Sequence, residues 1–291
     1  MGAADRSNLI RVMPAKGSPM RVALQSPGRA GDLRVLPPLL TVEDVSHEYR
    51  LGARVLPVLD GVSLSLSREG FAAIVGPSGS GKSTLLGLIA GLEEPTRGAI
   101  RLLGRERRLG AVGYMPQRDL LLPWRDALDN AAAGLEVQGT GRAEARRRAA
   151  AIFAEFGLEG FEGARPHELS GGMRQRVALA RTVLAGGDLI LLDEPFGALD
   201  ALTRARMQDW LLETWPRLGR AGLLVTHDPE EALLLADEVY VLSPRPGRIV
   251  ARLRPELPRP RGRDVVADPR FGELKVELLR ALGVTVGEAA R

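Results

Sequence analysis

The chain has 291 residues, no cysteine and three histidines, with 40 basic and 36 acidic side chains and a formal net charge of +4. The lack of cysteine excludes disulfides and thiolate metal sites and suits a reducing compartment, and no apolar run reaches the roughly 18 residues of a membrane-spanning helix or forms the core of a secretory signal. Because the basic residues are scattered among nearly as many acids, the small positive excess does not favour nucleic acid as a partner.

The first segment, residues 1–38, is rich in Gly, Pro, Arg and Ser, which predicts a flexible N-terminal extension. Next, residues 40–66 predict antiparallel strands around a turn at 51–53. Further strands are predicted from short apolar runs at 71–75, 111–115, 189–192, 223–226 and 239–242. Helical patterns between several of these runs are typical of a mainly parallel sheet covered on both faces.

The part of the chain from about 120 to 186 is mostly helical in pattern. Residues 142–156 carry apolar side chains at helical spacing with arginines opposite. We therefore expect a helical insertion within an α/β domain that spans residues 39–243. A Pro/Arg-rich C-terminal extension, residues 244–291, follows; its arginines are expected to lie on a solvated surface, and a helix is predicted over 271–282.

Residues 76–83 read G-P-S-G-S-G-K-S and match the phosphate-loop pattern G-x-x-x-x-G-K-[ST] between a predicted strand and a predicted helix. Glycines allow successive backbone N–H groups to face one anion at the positive end of a helix. Lys82, the only lysine between residues 17 and 274, would reach the β- and γ-phosphates, and the Ser83 hydroxyl would bind Mg²⁺. The predicted nucleotide-binding residues here are Gly76, Pro77, Ser78, Gly79, Ser80, Gly81, Lys82, Ser83 and Thr84.

Polar side chains also follow three other predicted strands. Asp193 and Glu194 end the run at 189–192, where Asp193 could hold Mg²⁺ and Glu194 could act on the attacking water. Gln117 and His227 follow the runs at 111–115 and 223–226. Either alone is commonly structural, but four strands that end in groups suited to phosphate, metal or water favour a catalytic site.

Residues 169–176, L-S-G-G-M-R-Q-R, resemble the signature of the nucleotide-binding subunits of ABC transporters. The resemblance implies an α/β, RecA-like P-loop NTPase fold: a mainly parallel sheet core, an antiparallel β subdomain and an inserted helical subdomain at about 120–186. It also implies ATP and Mg²⁺ as ligands. In that family Ser170, Gly171 and Gly172 would close over ATP held by the other subunit, so that the ATPase is a homodimer.

Other family roles carry over to single residues. Tyr49 resembles the aromatic residue that stacks on adenine, and Gln117 resembles the residue that touches Mg²⁺ and water while reporting to the permease. Asp200 is similar to an aspartate of the dimer interface, and His227 to a switch histidine that contacts the γ-phosphate. Two departures, Met173 for glutamine and Gly197 for serine, remove no phosphate ligand.

Residues 121–124, L-L-P-W, and 243–248, S-P-R-P-G-R, resemble stretches of ATPases that drive importers of nitrate, sulfonates and taurine. This similarity implies permease subunits that insert a coupling helix near Gln117 to Trp124, an extracytoplasmic solute-binding protein, and a peripheral location on the cytoplasmic face of the inner or plasma membrane. A soluble ABC-type ATPase acting on nucleic acid or ribosomes is the alternative. A GTPase would need an N-K-x-D motif, which the sequence lacks, and a small-molecule kinase would have no use for the signature.

Overall fold

The structure is a computed structural model that describes residues 37–284, so the predicted N-terminal extension lies outside the described residues except for positions 37 and 38. The strands are β1 Leu40–Leu51, β2 Arg54–Leu66, β3 Phe71–Val75, β4 Arg97–Leu102, β5 Val112–Met115, β6 Leu189–Asp193, β7 Ala221–Thr226, β8 Glu238–Leu242 and β9 Ile249–Leu253. The helices are α1 Lys82–Ala90, α2 Ala127–Val137, α3 Arg142–Phe153, α4 Gly171–Ala185, α5 Ala201–Leu218, α6 Pro229–Leu235 and α7 Pro269–Ala281. Short 3-10 helices cover Pro166–Glu168 and Arg263–Ala267.

A six-stranded sheet in the order β5-β6-β7-β3-β8-β9 forms the centre of the described chain. Its first five strands are parallel, and β9 is antiparallel to β8. Every residue of β3 and β6 is buried, which is why both read as unbroken apolar runs instead of alternating ones. The carboxyl ends of the five parallel strands consequently share one edge of the sheet.

Successive side chains of β3 point to opposite faces of this sheet and into two separate cores. Phe71, Ala73 and Val75 pack with helices α2 to α7, whereas Ala72 and Ile74 belong to a core that α1 shares with a three-stranded antiparallel sheet in the order β2-β1-β4. Burial on both faces fixes the strand that leads into the phosphate loop. The predicted α/β fold with an antiparallel β-sheet is confirmed.

Helices α2, α3 and α4 pack against one another in the part of the chain that the sequence predicts to be helical. Asn130, which is fully buried on α2, exchanges hydrogen bonds with both backbone groups of Leu122, so the loop before α2 is held firmly. Within residues 37–284, no helix combines the length and the apolar character needed to cross a membrane.

The segment after residue 243 is more integrated than the sequence suggests. Strand β9 extends the central sheet, and α7 buries Phe271, Leu274 and Leu278. Arg261, expected on a solvated surface, is only 7% exposed and donates to the backbone oxygens of Leu233 (3.2 Å) and Ala236 (2.5 Å). The expectation was wrong for this residue because the last carbonyls of α6 need donors, and the guanidinium supplies them.

Candidate active site

Four neighbouring parallel strands bring the predicted site residues to the same edge of the sheet. The phosphate loop follows β3, His227 follows β7, Glu194 follows β6, and Gln117 lies two residues beyond β5. Because β5, β6, β7 and β3 are adjacent, residues far apart in sequence meet at this edge: 110 positions separate Gln117 from His227, and 145 separate Lys82 from His227.

The phosphate loop is a tight turn between β3 and α1, and it needs glycine at residue 81. Gly81 has a φ of +100°, and a Cβ there would lie 2.8 Å from Leu59 Cδ2 and 3.0 Å from Val58 Cγ1. Only glycine meets both conditions without strain. The turn presents the free N–H groups at the start of α1 to the space above the loop, which suits an anion.

Lys82 is 5% exposed, and its Nζ donates to the backbone oxygens of Gly76 (2.8 Å) and Pro77 (3.0 Å). Burial lowers the pKa of this ammonium, while the charges of Glu194 and Asp193 act in the opposite direction. The ammonium is thus held beside the loop and close to two carboxylates, where a bound phosphate would receive its charge.

Asp193 is 2% exposed, and its Oδ1 has no hydrogen-bond partner within the described residues. Burial is the main cause that raises the pKa of its carboxyl group, and the nearby charge of Glu194 raises this pKa further. The Ser83 hydroxyl and the Lys82 ammonium lower the pKa, but not enough to cancel the rise. A buried carboxylate oxygen without a partner is costly unless something else satisfies it. Together with the Ser83 hydroxyl it forms an oxygen-rich position suited to a hard cation.

Glu194 carries the clearest backbone strain in the site, with a φ of +47° in a non-glycine residue. Its N–H donates to Val225 O at 2.9 Å, which ties it to the next strand. Its Oε2 accepts from Gln117 Nε2 at 3.2 Å and lies 3.4 Å from His227 Nδ1. Gln117 and His227 therefore both contact one oxygen of the Glu194 carboxylate, and the three side chains predicted to be catalytic meet at that atom.

An open cavity of about 400 Å³ lies over the phosphate loop. Its lining residues are Tyr49, Leu56, Val58, Ser78, Gly79, Gly81, Lys82, Ser83, Thr84, Gln117, Glu194 and Arg245. Tyr49, the predicted adenine contact, has its hydroxyl 3.5 Å from Thr84 Oγ1 and is partly exposed. The other predicted site residues (Gly76, Pro77, Ser80, Asp193, His227, Ser170, Gly171, Gly172 and Asp200) do not line this cavity.

Ser170 and Asp200 each begin a helix away from the cavity. Ser170 Oγ accepts from Met173 N at 3.2 Å at the start of α4, and Asp200 Oδ1 accepts from the N–H groups of Leu202 (3.1 Å) and Thr203 (3.0 Å) at the start of α5. Both caps are exposed. The structure of one chain therefore does not bring the predicted signature residues to its own phosphate loop.

Comparison with known proteins gives this arrangement a family. The family model described as ABC transporter matches residues 59–197. A taurine import ATP-binding protein of Rhizobium johnstonii is 44% identical over 80% of this chain and 91% of its own length. Another, from Pseudomonas aeruginosa, is 42% identical over 82% and 94%.

The chain belongs to the ABC transporter family. Its fold is similar to that of a dimeric bacterial ABC transporter cassette, with a TM-score of 0.69 and 29% identity over 75% of this chain and 99% of that one. A second similar structure is a dimeric ATP-binding cassette in a post-hydrolysis state with ADP and Pi, with a TM-score of 0.68 and 29% identity. The resemblance and the P-loop NTPase fold predicted from the sequence are both confirmed.

As an ABC ATPase domain the chain binds ATP, and its cavity includes three lining residues that the sequence did not identify as site residues: Leu56, Val58 and Arg245. The two apolar residues come from the antiparallel sheet, and no local pattern marks them. For Arg245 a signal existed, because it follows β8, a fifth parallel strand that ends at the same edge.

Proposed function

We propose that the chain is the ATP-hydrolysing subunit of an importer for a small solute of the taurine, sulfonate and nitrate class, that it works as a homodimer, and that permease subunits hold it at the cytoplasmic face of the membrane. The convergence of Gln117 and His227 on the Glu194 carboxylate carries the hydrolytic part of this proposal. The relatives named as taurine import ATP-binding proteins support the transport part.

In hydrolysis, Glu194 would orient the attacking water and accept its proton. Gln117 and His227 each reach its Oε2, so they are placed to orient the carboxylate. Lys82 and the loop N–H groups would stabilise charge on the transferred phosphoryl group. Since water is the nucleophile, no covalent intermediate with the protein is needed.

The residues at the end of β6 fit Mg²⁺, whose preferred ligands are oxygens. Asp193 offers a buried carboxylate oxygen without a hydrogen-bond partner among residues 37–284, and Ser83, which lines the cavity, offers a hydroxyl. These two residues would hold the ion, with Gln117 as a further predicted contact. When bound, Mg²⁺ would neutralise phosphate charge.

A second copy of the chain would complete the site. The capped start of α4 at Ser170 is an anion-binding helix terminus, yet it lies outside the cavity of its own chain. Supplied by a partner, it would cover the γ-phosphate, and Asp200 would lie at the same interface.

The permease would dock on the loop between β5 and α2. Leu120 and Trp124 are 58% and 68% exposed there, although the loop itself is fixed by Asn130. Arg181 of α4 donates to the backbone oxygens of Asp119 (2.6 Å) and Leu120 (2.8 Å), so this surface is tied directly to the signature helix. An apolar patch on a rigid loop suits an amphipathic coupling helix.

Replacing Glu194 with glutamine tests the hydrolytic role. We expect ATP hydrolysis to fall by about 10³-fold, because a positioned general base contributes 10²–10⁴-fold. ATP binding should persist and should yield a dimer that light scattering after gel filtration detects. The exposed Glu213, changed in the same way, is the matched control. Normal turnover by Glu194→Gln would refute the role assigned to this carboxylate.

The transport role is tested by affinity purification of the full chain from gently solubilised membranes of the source cells. We expect polytopic membrane subunits to co-purify. Recovery of nucleic acid or ribosomes in place of membrane subunits would support the alternative class of soluble ABC-type ATPase.

A further inference from the structure

The loop of residues 243–248, which follows β8, packs directly against the phosphate loop. Gly247 N donates to Val58 O at 2.8 Å, and Gly247 O accepts from Asp60 N at 3.0 Å. A Cβ on Gly247 would lie 2.3 Å from Ser80 O, which shows how closely the two loops approach. The 243–248 loop is therefore fixed relative to the nucleotide cavity.

This loop places the Arg245 side chain in the wall of the cavity, next to Gly79. Its Nη2 lies 3.5 Å from the position that a Cβ on Gly79 would occupy. Within residues 37–284 Arg245 has no ion-pair partner, whereas Arg248 of the same loop pairs with Asp60. The Arg248 guanidinium is thus neutralised by an ion pair, whereas the Arg245 guanidinium is available to bind an anion.

We propose that Arg245 is a further nucleotide-binding residue, which contacts the phosphate chain of ATP beside the glycine-rich turn and adds to the charge of Lys82. A guanidinium offers several donors in a plane that match phosphate oxygens, and it stays charged at all physiological pH values. The inference rests on the proposed ATPase function and makes Arg245 a determinant of preference for polyphosphate nucleotides.

The neighbours of Arg245 favour phosphate over the base as its contact. Arg245 lies beside Gly79, which belongs to the glycine-rich turn that curls around the anion. Tyr49, the predicted adenine contact, and Leu56 belong instead to the antiparallel sheet. A cation at the glycine-rich turn lies at short range from the negative charge of the phosphates. The electrostatic attraction between them grows with the number of phosphates in the nucleotide.

The test is a set of titrations of the full chain with a non-hydrolysable ATP analogue, ADP and AMP. For Arg245→Gln we expect about a tenfold loss of affinity for the ATP analogue, since a hydrogen bond to a charged group is worth about 1.5 kcal/mol or more. The loss should shrink for ADP, become small for AMP, and decrease at high salt. Arg245→Lys should recover part of the affinity, and Arg248→Gln is the matched control.

Two results would overturn the inference: wild-type affinity of Arg245→Gln for all three nucleotides, or an equal loss for all three, which would place Arg245 at the adenosine. Its failure differs from a failure of the proposed function. If the wild-type chain binds the ATP analogue and Lys82→Ala does not, the ATP site stands whatever Arg245 does. If the wild-type chain binds no nucleotide, the proposed function itself fails.

Discussion

Replacing Glu231 with glutamine should stabilise the fold increasingly as the pH rises from 6 to 8. Glu231 is 6% exposed on α6, where its Oε2 accepts from Thr226 Oγ1 at 2.9 Å and its Oε1 has no partner within the described residues. Burial raises its pKa to about 8, and the carboxylates of Asp228 and Glu194 act in the same direction. The Thr226 hydrogen bond and Arg204 oppose this rise without cancelling it.

Proton linkage determines the sign and the size of this pH-dependent change in the free energy of unfolding. The unfolded carboxyl ionises near its ordinary pKa of 4.5, whereas the folded one stays protonated until the pH approaches 8. Between these values the folded state binds more protons, so each pH unit lowers the free energy of unfolding by about 1.4 kcal/mol. Ionisation of the folded group near pH 8 flattens the curve, and the loss between pH 6 and 8 totals about 2 kcal/mol.

Glutamine keeps the shape and an acceptor for Thr226 but cannot ionise, so Glu231→Gln escapes this loss. By thermal denaturation at a series of pH values, the difference in Tm between Glu231→Gln and the wild type should widen by about 4–8 °C from pH 6 to pH 8. Glu213→Gln, at an exposed position on α5, should show no such trend. A difference in Tm that stays constant with pH would refute the inference that burial keeps Glu231 protonated.

Two further predictions concern the metal and the permease. Asp193→Asn should bind ATP in EDTA as the wild type does but should lose the gain in affinity that Mg²⁺ gives, because the buried carboxylate is the charged part of the ion site; an undiminished Mg²⁺ effect would remove Asp193 from that site. Trp124→Ser should leave ATP hydrolysis by the isolated chain unchanged and weaken co-purification with the permease, since the indole is 68% exposed and does not line the ATP cavity; intact co-purification would place the docking surface elsewhere.

Local signals in the sequence predicted much of the site. The glycines of the phosphate loop, the lone Lys82 and the abrupt end of an apolar strand at Asp193 each reflect a constraint within a few residues. The parallel topology then follows from alternating strands and helices, and it requires that the strand ends meet. This is why Gln117, Glu194 and His227 could be grouped although 110 residues separate the first from the last.

Long-range packing determines the roles of residues that the sequence analysis did not identify. Arg245 follows β8 at the same edge of the sheet as the other site residues, but its loop is brought to the cavity by the hydrogen bond of Gly247 to Val58, a pairing across 189 positions that no periodicity records. Arg261 looks like a surface charge in a Pro/Arg-rich stretch, yet it caps α6. Such roles depend on which backbone groups are left without partners after the fold has formed, and composition does not reveal them.

A mixing experiment tests the shared ATP site most directly. Lys82→Ala should disable the phosphate loop, and Ser170→Asp should place a negative charge against the partner's phosphate while still capping α4; Ser170→Asn, equally able to cap the helix, is the neutral control. Lys82→Ala alone and Ser170→Asp alone should each hydrolyse little ATP. Mixed, they should regain activity, because a heterodimer pairs the intact loop of one chain with the intact signature of the other. If the mixture is no more active than its components, phosphate loop and signature act within one chain, and the proposed homodimeric site is wrong.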